Sequence, residues 1–102
     1  MSPRLSSRAL PWVIVDRTGG ETVCETRADW IAEWRRWLAL MERADRPAQQ
    51  RREGLERALA ANAGAFRGLV EHGALDAVLE VTGAAAAADA RLSWLDAEAE
   101  AA

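Results

Sequence analysis

The apolar positions pass from a strand-like run to helical spacing along the chain, and turn residues between the runs mark the elements. Residues 12–16, Trp-Val-Ile-Val-Asp, form a β-branched run. Thr18-Gly19-Gly20 follows as turn chemistry, and Glu21–Glu25 makes a second short run around Val23 and Cys24. Two such runs across a glycine-containing turn predict a β-hairpin over 11–26. Two strands alone are marginal in water, so the hairpin needs a helix or a third strand to pack against.

Beyond Thr26 the spacing becomes helical. Thr26 offers an N-cap with Asp29 three residues on, an aspartate variant of the capping box. A helix from about Arg27 to Ala44 places Trp30, Trp34, Trp37, Met41 and Ala44 on one arc, widened by Ile31 and Leu38. Arg35, Arg36 and Arg43 fall on the other side. Asp45-Arg46-Pro47 ends this helix and opens a second, proline being tolerated in a first turn. The second carries Leu55, Leu59, Phe66 and Leu69 or Val70, with Gly73 as terminator. A connection this short makes the two helices antiparallel neighbours. Asn62 admits two readings: a buried amide fixing helix register between Leu59 and Phe66, or the last residue of a helix that breaks at Asn62–Gly64.

Leu75, Val78 and Leu79 then predict a short helix ending before Gly83. Ala84–Ala88 opens a last one over 84–96, carrying Leu92, Trp94 and Leu95. Residues 97–102 read as a frayed acidic tail and 1–10 as a flexible N-terminus. The expected architecture is α+β: an N-terminal β-hairpin packed on an antiparallel helical hairpin (body 27–82), with one or two further short C-terminal helices, in a single domain.

Composition sharpens this picture. Half of the 102 residues are hydrophobic, but alanine supplies much of that half, so five tryptophans and one phenylalanine must supply a large part of the core. The tryptophan stripe is either that core or, with one ring left uncovered, an anchor for a partner. Trp94, apart from the others, is the better anchor candidate. Every basic residue is arginine, and tyrosine is absent, which together with the alanine excess reads as the codon bias of a GC-rich bacterium or its phages.

The net charge of −3 conceals an asymmetry. Residues 35–67 carry eight arginines against four acids, and residues 71–102 carry seven acids against Arg91 alone. Two candidate contact surfaces follow. Arg43, Arg46, Arg51, Arg52 and Arg57 gather near the inter-helix turn, to meet phosphates or an acidic protein, or to be a solvated face partly paired with Glu42, Glu53 and Glu56. Asp76, Glu80 and Asp89 mark an acidic third that would mimic a phosphate backbone or merely solvate its helices.

The chemistry-bearing residues point away from catalysis. One cysteine excludes an internal disulfide, and Cys24 with the lone His72 makes no zinc-type set. Thr18-Gly19-Gly20 has neither the spacing nor the lysine of a P-loop, and no G-x-S-x-G or H-E-x-x-H occurs. The reading is non-enzymatic, without cofactor or metal. No apolar run is long enough to span a bilayer and no signal-peptide pattern opens the chain, so a bacterial cytosolic location is expected.

The stretch from Pro11-Trp12-Val13-Ile14-Val15 through Thr26-Arg27-Ala28-Asp29-Trp30 resembles small α+β accessory proteins of phages and prophages of GC-rich proteobacteria. The resemblance covers about the first half of the chain. It implies a protein that acts by binding: an inhibitor of a host defence nucleoprotein complex, of the anti-CRISPR type, or a small virion or tail-assembly component. The implied partner is a bacterial protein or nucleoprotein complex. Direct nucleic-acid binding through Arg43–Arg57 is the alternative, and a homodimer is compatible with either.

Overall fold

The computed structural model describes residues 12–43 and 45–101 of the chain, with the side chains of 96 and 99 left aside. The fold is α+β: an antiparallel hairpin of β1 (Val13–Val15) and β2 (Glu21–Val23), then α1 (Arg27–Met41), α2 (Ala48–Ala61), α3 (Ala63–Glu71) and α4 (Leu75–Ala101). The expected flexible segment 1–10, the arc position Ala44 and the terminal Ala102 lie outside the described residues.

The hairpin pairs Val13 with Val23, Ile14 with Thr22 and Val15 with Glu21. Its loop closes through Gly19 N–H to Asp16 O (3.0 Å) and Asp16 N–H to Gly20 O (2.8 Å). Gly19 has φ +86°, the left-handed residue that ends a type I turn in a three-residue hairpin loop. The Asp16 Oδ1 carboxylate accepts from the Thr18 and Gly20 amides and from the Thr18 hydroxyl. These bonds hold its carboxyl below the ordinary aspartate range, the Thr18 hydroxyl contributing most.

Ile14 is fully buried, and the outward edge of β1 is closed by two helices. Trp30 Nε1 of α1 donates to Val13 O at 3.1 Å. Asn62, between α2 and α3, faces Val15 with its whole amide: Val15 N–H donates to Oδ1 at 2.6 Å, and Nδ2 donates to Val15 O at 3.0 Å. A side-chain amide thus makes the two-point pairing that a third strand would make. Nδ2 also donates to Ala58 O at 2.8 Å, tying the clamp to the last turn of α2. Both readings of Asn62 hold together. The helix breaks there, and the amide is completely buried in the break.

Thr26 caps α1 by accepting from the Asp29 amide at 3.1 Å. Trp30, Ile31, Trp34 and Leu38 are buried, with Trp37 and Met41 partly so. The rings form one continuous cluster: Trp30 meets Trp12 at 5.5 Å between centroids and Phe66 at 6.0 Å edge-on, and Trp34 meets Phe66 at 5.4 Å. Burying each such side chain stabilises the fold by roughly 1.5–3 kcal/mol, so four or five rings account for much of the core. Trp34 Nε1 is buried with no acceptor among the described residues.

At the end of α3, Gly73 (φ +85°) donates to Val70 O at 3.0 Å and Ala74 N–H reaches back to Leu69 O at 2.8 Å. This is a Schellman turn, and Leu69 and Ala74 at its two ends are both buried.

The C-terminal region differs from the sequence expectation. A short helix ending before Gly83, a second over 84–96 and a frayed tail become one helix of 27 residues through Ala101. Gly83 weakens a helix by about 1 kcal/mol, which is too little to break it when alanines flank it and the buried stripe stays in phase. That stripe, Ala77, Val78, Val81, Ala85, Ala88 and Leu92, packs along α1, α2 and α3.

Candidate functional surfaces

The arginines grouped in sequence near the α1–α2 turn do not form one surface. Arg43 Nη2 is held by Asp45 at 2.9 Å. Arg51 is half-buried and donates from Nη1 to Glu42 O at 3.2 Å, with its Nε enclosed and without an acceptor among the described residues. Arg52 reaches α4, contacting Asp89 at 3.4 Å and Ser93 Oγ at 3.1 Å. Arg51 and Arg52 are held against other parts of the fold, whereas Arg43 has an exposed pair within its own turn.

Arg46 and Arg57 have a different setting. They line an open groove of about 630 Å³ together with Arg17, from the hairpin turn. None of the three makes an ion pair with a described residue. The apolar part of the lining is Val15, Trp37, Leu40, Met41, Ala58 and Ala61. Leu40 is 54 % exposed although it sits beside the core face of α1. Two acids also line it: Asp16 holds the hairpin turn and Glu53 accepts from Gln49, neither partner being a cation, so the groove carries three arginines and two carboxylates. The groove therefore offers three planar arginine forks beside apolar side chains, in a mixed-charge setting with an excess of one cation.

Arg17 was not among the candidates read from the sequence. It lies far from Arg46 and Arg57 along the chain, and the Asn62–Val15 clamp brings the two segments together. No local pattern at Arg17 carries that information.

The acidic candidates are largely neutralised by neighbours. Asp76 and Glu80 both receive Arg27 (3.0 and 3.4 Å), Glu80 also receives Arg35 at 2.7 Å, and Asp89 receives Arg52. These pairs are solvent-exposed and hold α4 to α1 and α2 by a few tenths of a kcal/mol to about 1 kcal/mol each. Trp94 is 61 % exposed, as its isolation on the last helix suggested.

The remaining reactive groups have structural surroundings. Burial, with the Glu33 and Asp29 charges secondary, pushes the Cys24 thiol above its ordinary range, away from a nucleophilic thiolate. His72 Nδ1 lies 2.8 Å from Gly68 O on its own helix. Among the described residues no three His, Cys, Asp or Glu side chains are grouped to hold a metal ion. No described helix is long and apolar enough to cross a membrane.

Comparison with protein-family models, with curated proteins and with solved structures finds no match to this chain.

Proposed function

We propose that this chain is a non-enzymatic protein-binding module that takes an acidic and apolar segment of a partner protein into the groove between the hairpin turn, the end of α1 and α2. The observation that carries the reading is the convergence of Arg17, Arg46 and Arg57, unpaired among the described residues, on the floor made by Trp37, Leu40 and Met41. Apolar floors supply most of the binding energy at protein interfaces, and arginine forks orient carboxylates over them. The partner segment would place an aspartate or glutamate within a few residues of a bulky apolar side chain.

The resemblance of the N-terminal half extends this to an inhibitor of a bacterial defence nucleoprotein complex that acts by occluding a protein surface. Occlusion is favoured over charge mimicry because Asp76, Glu80 and Asp89 are each shared with an arginine of the same chain. Nucleic-acid binding through Arg43–Arg57 has less support, since Arg43, Arg51 and Arg52 are engaged internally.

Panning a random peptide display library against the protein tests the groove. Enriched peptides should combine an acid with a large apolar residue, and Arg46→Glu with Arg57→Glu should abolish their capture while leaving the helical spectrum unchanged. Enrichment of basic peptides, or capture indifferent to the double substitution, sinks the groove reading. The inhibitor class is tested by plaque counts of a CRISPR-targeted phage on hosts expressing the chain. Wild type should restore plaques and the double variant should not, whereas no restoration removes that class.

A further inference from the structure

The groove lined by Arg17, Arg46 and Arg57 is large enough for a free small molecule. Its volume of about 630 Å³ falls within the range of pockets that hold small ligands, roughly 300–1,000 Å³. Its charge limits which molecules fit. The lining holds three guanidinium groups and the carboxylates of Asp16 and Glu53, so one added negative charge brings it to neutrality. A cation would add to the excess, and a dianion would overshoot it. A phosphate monoester carries about 1.5–2 charges at neutral pH, which again exceeds what the groove calls for. A planar carboxylate carries one charge and matches the planar arginine fork in two-point contact.

The apolar part of the lining selects the rest of the ligand. Trp37 and Met41 are only partly buried, and Leu40 is exposed, so a bulky apolar body gains contact with all three. Gln50, Gly54, Arg57, Ala58 and Ala61 recur at helical spacing on one face of α2. Among these Gly54 has no side chain, and a Cβ built on it would meet nothing within 4 Å. The helix wall is therefore open between Gln50 and Arg57, beside the arginine forks. A flat ring fits such a space, and an aromatic body can also pair with the Trp37 indole.

We propose that the groove binds free aromatic monocarboxylates, in competition with the partner segment. The arginine forks take the carboxylate, and the ring lies over Gly54 against Trp37 and Leu40. This binding rests on the same groove as the proposed function. It reduces the ligand there to one acid and one bulky apolar group, with no peptide backbone. A small aromatic acid would then displace the partner and make its capture responsive to ligand concentration. For a ligand of about a dozen heavy atoms in an open groove, a dissociation constant of about 0.1–1 mM is expected.

Titration of nitrogen-15-labelled protein with 2-naphthoate, followed by two-dimensional amide spectra, tests this. The Trp37 indole and the Arg17, Gly54 and Arg57 amides should shift saturably, while the Trp94 indole should not move. 2-Naphthylmethylamine and naphthalene-2,6-dicarboxylate should bind at least about tenfold more weakly. Arg46→Gln with Arg57→Gln should weaken 2-naphthoate binding about tenfold or more. Gly54→Leu fills the open wall and should abolish the shifts, with no fall in helix content or urea midpoint because leucine is the better helix former. Absence of saturation by about 10 mM overturns the proposal, as do equal binding of the amine and binding indifferent to Gly54→Leu. Failure of 2-naphthoate with peptide capture intact sinks this inference and leaves the proposed function standing. Groove-localised 2-naphthoate binding without peptide capture does the reverse.

Discussion

Removing the Asn62 amide is expected to be the most damaging small substitution outside the tryptophan cluster. Asn62→Ala deletes three hydrogen bonds, of 2.6, 3.0 and 2.8 Å, made by a fully buried side chain to a half-buried strand and the end of α2. It leaves the Val15 N–H and the Val15 and Ala58 carbonyls to find other partners. Ala58 O retains Asn62 N–H as its helical donor at 3.2 Å, so its loss is small. The two Val15 groups have no second partner among the described residues. Each unsatisfied backbone group costs about 1–3 kcal/mol, reduced here because the bonds are only part-buried, so the expected loss is about 2–4 kcal/mol. A domain of this size is stable by about 5–15 kcal/mol, so the variant should fold with a markedly lower urea midpoint.

The isostere Asn62→Asp separates hydrogen bonding from volume. A carboxylate can still accept from Val15 N–H, but its second oxygen then faces the Val15 and Ala58 carbonyls with no proton to offer. Burial and those two carbonyls raise the folded-state pKa above the unfolded value. A raised acid makes the neutral form the compatible one, so the deficit relative to wild type is largest above the folded pKa and shrinks as pH falls through it. Urea melts of wild type and both variants at neutral and acid pH, followed by far-ultraviolet circular dichroism, measure this. Amide exchange at Val15 reports the clamp directly. An Asn62→Ala loss below about 0.5 kcal/mol, or an Asn62→Asp deficit independent of pH, would refute the reasoning, since surface changes alone lie within that range.

Two glycines should respond to alanine with opposite signs. Gly83→Ala fills open space in a regular helix and should stabilise the fold by about 0.5–1 kcal/mol, whereas Gly73→Ala at φ +85° should cost about 1 kcal/mol or more; urea midpoints distinguish them. Thr26→Ala removes the α1 cap and should cost about 1 kcal/mol with an unchanged denaturant slope. Asp16 has a lowered pKa, so its contribution to the hairpin is complete above the unfolded aspartate value and fades as pH falls toward the folded one. Asp16→Asn should flatten the acid limb of the stability profile, and an unaltered limb would refute the assignment. Cys24 should react with iodoacetamide more slowly at neutral pH than a free cysteine does, since burial keeps its thiol protonated.

The parts of the fold legible in the sequence are those fixed by neighbours along the chain. The hairpin turn at Gly19, the Thr26 cap, the buried arc of α1 and the Gly73 stop each depend on residues within one or two turns. Joining 75–101 into one helix was less legible because it weighs a local penalty at Gly83 against a buried stripe that exists only once α1, α2 and α3 are in place. The arginine cluster misled for the same reason. Spacing grouped Arg43, Arg46, Arg51, Arg52 and Arg57, but Asp45, the Glu42 carbonyl and Asp89 withdraw three of them. Those partners lie two, nine and thirty-seven residues away, and only the nearest could be seen as a neighbour.

Asn62 also connects the stability of this fold to its proposed activity. The clamp pins Val15, two residues before Arg17, to the helix break five residues after Arg57. It therefore fixes the spacing of the cationic walls, and Val15, Ala58 and Ala61 of the floor surround it. Loosening the clamp frees the hairpin turn to move relative to α2 while the tryptophan cluster still holds α1 in place. The Arg17 wall should then fail before the fold does. At urea concentrations where Asn62→Ala remains folded, its capture of groove-selected peptides should fall more than that of an equally destabilised Thr26→Ala variant. Thr26 caps α1 at the end remote from Trp37, Leu40 and Met41, so it tests stability loss without disturbing the groove. Equal capture by the two variants would mean that Arg17 is positioned by something other than Asn62.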